Sequence, residues 1–463
     1  MEYTRPRTKL PKAKWLTDIE TASKKLPSRK FNKKDTPINF YCDVIGTPLG
    51  HKHCRSFWSY QEVLNHTGTI DKHHFTGNSL LDHTVLSSID REVNIKLFKE
   101  GLTSDPGTNL AVIGLMGGFT PYKLEALYTW FQDPTRIKFW RDDNFQIVLD
   151  YCQEGFDVYF PFIHNWVDQY SLHNRVTIIS GSHNIAEVLQ NWERHTGRAH
   201  NFETIWYGFF TDWFSDRMKS HNIEIDYSPG DKRLMCLNRR PHGHRMLLAT
   251  LLEKENLIEK IGISFPKHMN EDGPYKTRGH DNVYGFWNSF VEYQSGRVDH
   301  LTDVFDTLHK KLPLIADTDD FDTNHALDFN INYYKNFPIN IITETLFFTQ
   351  VAFPSEKLWK PIGAGQIFLV MSCRGFLKAI RDIGFKTFSP WINEDYDNIE
   401  EPYERANALI TEIKRITSLS ETDFNEILVG SKKAIKHNKE LLLNNSEIKK
   451  LVSIHVVEYF NNL

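Results

Sequence analysis

The sequence predicts a two-domain α/β protein, and three observations predict it. Short apolar runs of strand length alternate with longer amphipathic segments, which is the pattern of a parallel sheet covered on both faces. That pattern occurs twice, on either side of an irregular polar stretch from about Asp212 to Gly230. At 463 residues, with 40% hydrophobic and 25% charged, the chain is too long for one ordinary core and has the composition of a globular protein. The expected division is a basic arm over residues 1–38, an α/β domain over 39–215, a second over 231–400, and a helical tail over 401–463.

The arm carries eleven Lys or Arg against three Asp or Glu in its first 34 residues, although the whole chain has a net charge of −4. Such an arm suits nucleic acid or another acidic surface, although a solvated terminus is the commoner reason for this composition. The first strand is expected at Asn39 to Gly46, ending in the loop TPLGHKHCR. Because open α/β sheets keep their chemistry at the carboxyl ends of strands, Asp43, His51, His53 and Arg55 are candidate acid/base or acceptor-binding groups. Residues 56–108 show scattered His with no ligand spacing. The series then continues with a strand at LAVIGLM (110–116), a helix at KLEALYTWF (123–131), strands at DVYFPF (157–162) and RVTIISGS (175–182), a helix at IAEVLQNWERH (185–195) and a strand at ETIWYGFF (203–210). GLMGG is too short for a dinucleotide fingerprint, which needs GxGxxG opening a helix.

The second series opens with the strand RLMCLN (233–238) and passes through RRPHGHR into the helix MLLATLLEKENLI (246–258). Arg239, Arg240, His244 and Arg245 thus gather where a strand ends and a helix begins. Arg forks there suit a diphosphate, and a purely structural loop is the alternative. IGISFP (261–266) is the next strand. LPLIADTDDFD (312–322) then resembles the acidic motif with which some sugar transferases hold a divalent cation, yet its late position argues against a metal site. INIITET (339–345) gives a strand with Glu344 at its carboxyl end.

Phe353 to Trp391 reads as a helix start, a buried strand, a second helix and a short second strand. Ser355 is an N-cap, and Glu356, Lys357 and Lys360 cluster at that helix start. Free N–H groups and the helix dipole favour phosphate there. A capped, solvated helix is the competing reading. The tail after Pro402 shows apolar residues three and four apart, the mark of amphipathic helices expected to pack across the domains. No run of 18 apolar residues and no apolar leader occurs, and the five cysteines are scattered without a CxxC pair. A reduced, cytoplasmic protein without membrane partner, structural zinc or disulfides is expected.

LNRRPHGHR, INIITET, PSEKLWKPIGAGQIFLV and RGFLKAIRDIGFKTF together resemble a glycosyltransferase-like family encoded largely by tailed bacteriophages. SEKLWKPIGAG is also similar to the glutamate-lysine segment of α1,3-fucosyltransferases. The likeness runs from about Arg233 to Tyr396, and is thin over RVTIISGS and ETIWYGFF. It implies a GT-B architecture, two Rossmann-like domains facing across a cleft, with a UDP- or GDP-sugar held by the C-terminal domain and no metal required. By this resemblance Arg239, Arg240 and Arg245 would neutralise the donor diphosphate, Glu356 and Lys357 would contact ribose and phosphate, and Glu344 would lie close to the transferred sugar. A base for the acceptor, Asp43 or His51, would come from the N-terminal domain. Two acceptors fit: DNA carrying hydroxymethylated pyrimidines such as hydroxymethylcytosine, reached with the basic arm, or a glycan hydroxyl served by the chain's many aromatics. A non-catalytic module that keeps the sugar-nucleotide fold is the reading from another functional class.

Overall fold

The computed structural model describes residues 36–45, 85, 88–97, 106–115, 145–152, 160–218, 232–267, 283–319 and 329–463. The chain forms two compact units. The first runs to Gly181, takes in Ile185–Tyr207 and is completed by Ser453–Leu463, while the second comprises Ser182–Asn184 and Gly208–Val452.

In the first unit the strands are β1 (Ile38–Ile45), β2 (Val93–Leu97), β3 (Thr108–Leu115), β4 (Phe145–Tyr151), β5 (Val176–Ser180) and β6 (Glu203–Trp206). They form one parallel sheet in the order β2-β1-β3-β4-β5-β6. β5 is buried along its whole length, as a strand covered on both faces must be, whereas β6 at the edge is only partly covered. The register is set by polar side chains at the strand starts: Asn94 donates to Asn39, and Asn39 donates to Asn109, each at 3.1 Å. Arg91 donates to the Thr36 carbonyl and to Thr108 Oγ1, pinning the same corner. The sheet starts at β1, grows first to β2 and then in the opposite direction through β3, so its order reverses between β1 and β3. Asp43 lies toward the carboxyl end of β1, in register with Ile113 of β3. His51, His53, Arg55, the expected helix 123–131 and residues 1–35 of the basic arm lie outside the described residues.

The second unit has a smaller parallel sheet of β7 (Leu234–Leu237), β8 (Gly262–Ser264), β9 (Ile339–Thr343) and β10 (Ile367–Met371) in the order β10-β9-β7-β8. β9 and β10 are wholly buried. Helices Gly243–Lys254 and Glu356–Ala364 follow β7 and β9, and Phe376–Asp382 follows β10. Three helices, Pro402–Ser418, Glu421–Leu443 and Asn445–Asn462, form the tail.

Several local expectations are corrected. DVYFPF is not a strand where it is described: Phe160 opens the helix Phe160–Tyr170, which buries Phe160, Ile163, Trp166 and Val167. Those spacings of three and four were masked by an accidental alternation at the start. The expected short strand after Phe376 is instead a loop folded around Glu394, which accepts from the Phe388 and Ser389 amides and from Thr387 Oγ1. The polar stretch beginning at Asp212 starts inside the helix Phe209–Met218. β2 and β4 are additions. FQIVLDY is a short apolar run whose period does not separate strand from helix, and VNIKL is an alternating edge strand in a region with little other pattern.

Candidate functional site

The second sheet fixes where a ligand site forms. The chain lays down β7, adds β8 on one side and returns to add β9 on the other, so β7 and β9 flank the switch point at which open α/β sheets leave a crevice. The loops leaving these two strands run into helices Gly243–Lys254 and Glu356–Ala364. A cavity of ≈ 460 Å³ lies there, lined by Arg239, Arg240, His242 and Arg245 from the first loop and helix and by Thr343, Thr345, Glu356, Lys357 and Lys360 from the second. Asp317, Asn330, Tyr333 and Tyr334 complete the wall. Five cationic side chains therefore meet two carboxylates, a surplus of positive charge suited to a bound polyanion.

The cations are not equivalent. Arg239 is engaged by both terminal nitrogens with Asp317, whose side chain is 1% exposed and which also accepts from Ser264 Oγ at 2.5 Å. Burial pushes the Asp317 carboxyl up, but hydrogen bonds from Arg239 and Ser264 and the Arg239 charge outweigh it and hold it below the usual range. The first aspartate of the acidic run is thus an internal counterion that aims Arg239. Asp320 and Asp322 lie outside the described residues, and among the described residues no group of three His, Cys, Asp or Glu is placed to hold a metal ion.

His244 is buried, and its Nε2–H donates to the Glu344 carbonyl at 2.7 Å. Burial, with the nearby positive charge of Arg245 and Lys357, drives its pKa down to about 3. It is therefore a neutral strut between the two loops, and the expected four-cation cluster is one of three guanidinium groups. Arg245 is 5% exposed and reaches the cavity, and its Nη1 donates to the Arg240 carbonyl at 3.4 Å.

At the second loop Ser355 is the N-cap, accepting from the Lys357 amide. Its own hydroxyl donates to Glu344 Oε2 at 2.5 Å, while its amide donates to Glu344 Oε1 at 3.1 Å. Glu344 is fully buried and does not line the cavity. Burial raises its pKa against the opposing effects of Lys357 and Ser355. Its carboxyl side chain braces the helix start from behind. Lys357 Nζ bridges Glu356 Oε1 at 2.7 Å, Ser355 Oγ at 3.1 Å and Thr345 Oγ1 at 3.2 Å. Burial would raise the Glu356 carboxyl, but Lys357, by charge and hydrogen bond, and Lys360 hold it low, so it is an anion poised to accept hydrogen bonds.

The structure thus gathers Arg239, Arg240, Arg245, Glu356, Lys357 and Lys360 around one cavity and places His244, Ser355 and Glu344 behind its wall. Sequence reasoning missed His242, Asn330, Tyr333 and Tyr334. The two tyrosines belong to NINYYKNFP, a segment with no strand or helix period, and Tyr334 is held from below by Gln366, whose amide donates to the Tyr334 and Phe337 carbonyls. An aromatic pair beside a polar turn was the available signal.

No family model and no curated protein matches the sequence. Among solved structures, the DNA modifying enzyme beta-glucosyltransferase, determined with and without uridine diphosphoglucose, is similar at 11% identity. The alignment covers 92% of this chain and 100% of that one, with a TM-score of 0.38. A likeness this loose leaves the site's own chemistry to carry the functional reading.

Proposed function

We propose that the protein is a glycosyltransferase that takes a sugar from a nucleotide-sugar, a UDP- or GDP-sugar, held in the cavity at the β7/β9 switch point. The observation that carries this reading is the meeting, around one cavity, of Arg240, Arg245, Lys357 and Lys360 with the carboxylate Glu356, which Lys357 holds. Arg239 contributes less free charge because Asp317 already balances it. The diphosphate takes the cationic side. Glu356 accepts from ribose hydroxyls, and Tyr333, partly exposed on the cavity wall, offers an aromatic face for the rest of the nucleoside. The two parallel-sheet units fit the pair of Rossmann-like halves of a GT-B enzyme.

The chemistry follows from the charge. Transfer breaks the bond between the anomeric carbon and the diphosphate oxygen while an acceptor oxygen forms the new one. Negative charge develops on the departing diphosphate, and fixed guanidinium and ammonium groups in a partly closed site stabilise it without needing to reorganise. The acceptor hydroxyl must lose its proton. Asp43, near the order reversal of the first sheet, and His51 are the residues we assign to that step.

For the acceptor we favour hydroxymethylated pyrimidine bases in DNA, on the strength of the eleven cations in the first 34 residues. Incubating the protein with hydroxymethylated DNA and a panel of nucleotide-sugars, followed by mass spectrometry of the nucleosides, tests the whole reading. A hexosyl or pentosyl adduct on the modified base is expected. Arg240→Ala should cut its rate by about tenfold or more, the value of a charged hydrogen bond. Adducts on an added glycan but never on DNA would move the acceptor to carbohydrate, and no turnover with any donor would leave only a binding role.

A further inference from the structure

The second unit holds another groove, of ≈ 1020 Å³, that shares no lining residue with the donor cavity. It is formed by the loop after helix Phe376–Asp382 and by one side of helix Glu421–Leu443. Glu394 folds the loop tightly, and Trp391 is presented from it beside Gly430 of the helix. A Cβ at Gly430 would fall 2.0 Å from Trp391 Cε2, 2.2 Å from Cζ2 and 2.6 Å from Cδ2. These are atoms of the fused ring and Nε1 is not among the nearest three, so the helix backbone lies under the face of the indole. Glycine is a poor choice for a helix interior, and here it makes room for that ring. Trp391 is nevertheless 38% exposed, which leaves the opposite face open to the groove.

Charge surrounds this platform. Lys386 and Lys433 are exposed and, among the described residues, their side chains form no hydrogen bond or ion pair. Arg381 is tethered to Glu394 and Thr387, and Arg415 to Glu412 and the Trp391 carbonyl. Four cations thus face Glu394 and Asp395, with both freely extended ones being lysines. An aromatic face flanked by an excess of cations matches a stacked base with its phosphates, whereas a neutral sugar ring would leave the lysines without a partner.

We propose that this groove binds a single-stranded nucleic-acid segment, with one base stacked on the free face of Trp391 and its phosphates held by Lys386 and Lys433. The inference extends the DNA reading of the acceptor but is tested without any donor. Anisotropy of a fluorescently labelled single-stranded oligonucleotide, titrated with the full-length protein across a salt series, supplies the measurement. Trp391→Ala should weaken binding by about five- to a hundredfold, and Trp391→Phe should recover part of it. The double substitution Lys386→Ala with Lys433→Ala should lower the slope of log affinity against log salt by about 1.4, the release expected for two single-strand phosphate contacts. The lysine variant alters only exposed side chains, so it stands even if Trp391→Ala fails to fold. Wild-type affinity and wild-type salt slope in both variants would overturn the proposal, as would loss in Trp391→Ala of binding to an uncharged oligosaccharide with oligonucleotide binding intact. Nucleotide-sugar affinity in the lysine variant should equal wild type. Absence of donor binding in the wild type itself would count against the glycosyltransferase reading alone.

Discussion

His244 joins two loops as a neutral imidazole, and this has a consequence for stability against pH. Its pKa is lowered from 6.5 to about 3 in the folded chain. The unfolded chain therefore binds a proton that the folded one refuses anywhere between those values. Its contribution is fully present above pH 6.5 and is lost as the pH falls toward 3, at up to about 1.4 kcal/mol per pH unit. Urea unfolding at pH 7.5, 6 and 5 should show this decline, and His244→Gln should make it shallower. An unchanged slope in that variant would mean that the imidazole is charged in the fold. The residue types of the site were legible in the sequence: Arg240 and Lys357 were recognised from their positions at strand ends and helix starts. Their pairings were not. Asp317 lies 78 positions from Arg239 and looked like part of a metal motif, and Glu344, expected close to the transferred sugar, has its carboxyl group bound by Ser355. Such pairings depend on which loops meet, and short-range sequence pattern does not encode that.

Among the elements, the start of β3 shows how closely a local backbone requirement is specified. Thr108 donates from its amide to the Pro37 carbonyl at 2.9 Å, so the strand begins hard against β1. Gly107 makes that approach possible: its φ is +121°, and a Cβ there would lie 2.3 Å from the Pro37 oxygen, a backbone atom that has little room to yield. Gly107→Ala should cost about 2 kcal/mol of stability, from backbone strain and the forced shift together. A denaturation midpoint equal to wild type would show that the corner relaxes. Wholly buried, apolar-rich strands such as β5, β9 and β10 were readable because both faces are covered and their runs are bounded by turn residues. Phe160–Tyr170 was misread because a proline and alternating aromatics at its start imitate a strand. β4 was passed over because seven apolar-rich residues carry no period of their own.

For the whole molecule, the last described helix ends in the first unit, which Ser453–Leu463 completes. Within the first unit Phe460 packs edge-on against Phe40 with ring centroids 5.2 Å apart, and Thr177 donates to the Tyr459 hydroxyl at 3.0 Å. The amphipathic period of the tail was plain in the sequence, but not which unit each part of it would complete. The cavity at the β7/β9 switch point, in contrast, is built from the second unit alone, from residues between Leu237 and Pro361. Whether this cavity holds a nucleotide-sugar through Arg240 and Lys357, as proposed, can be measured by calorimetric titration of the full-length protein with UDP- and GDP-sugars. At least one donor should bind saturably at one site per chain, with affinity weakened about tenfold or more by Arg240→Ala and by Lys357→Ala. Heat of binding from none of the donors, or an affinity that both substitutions leave unchanged, would contradict it.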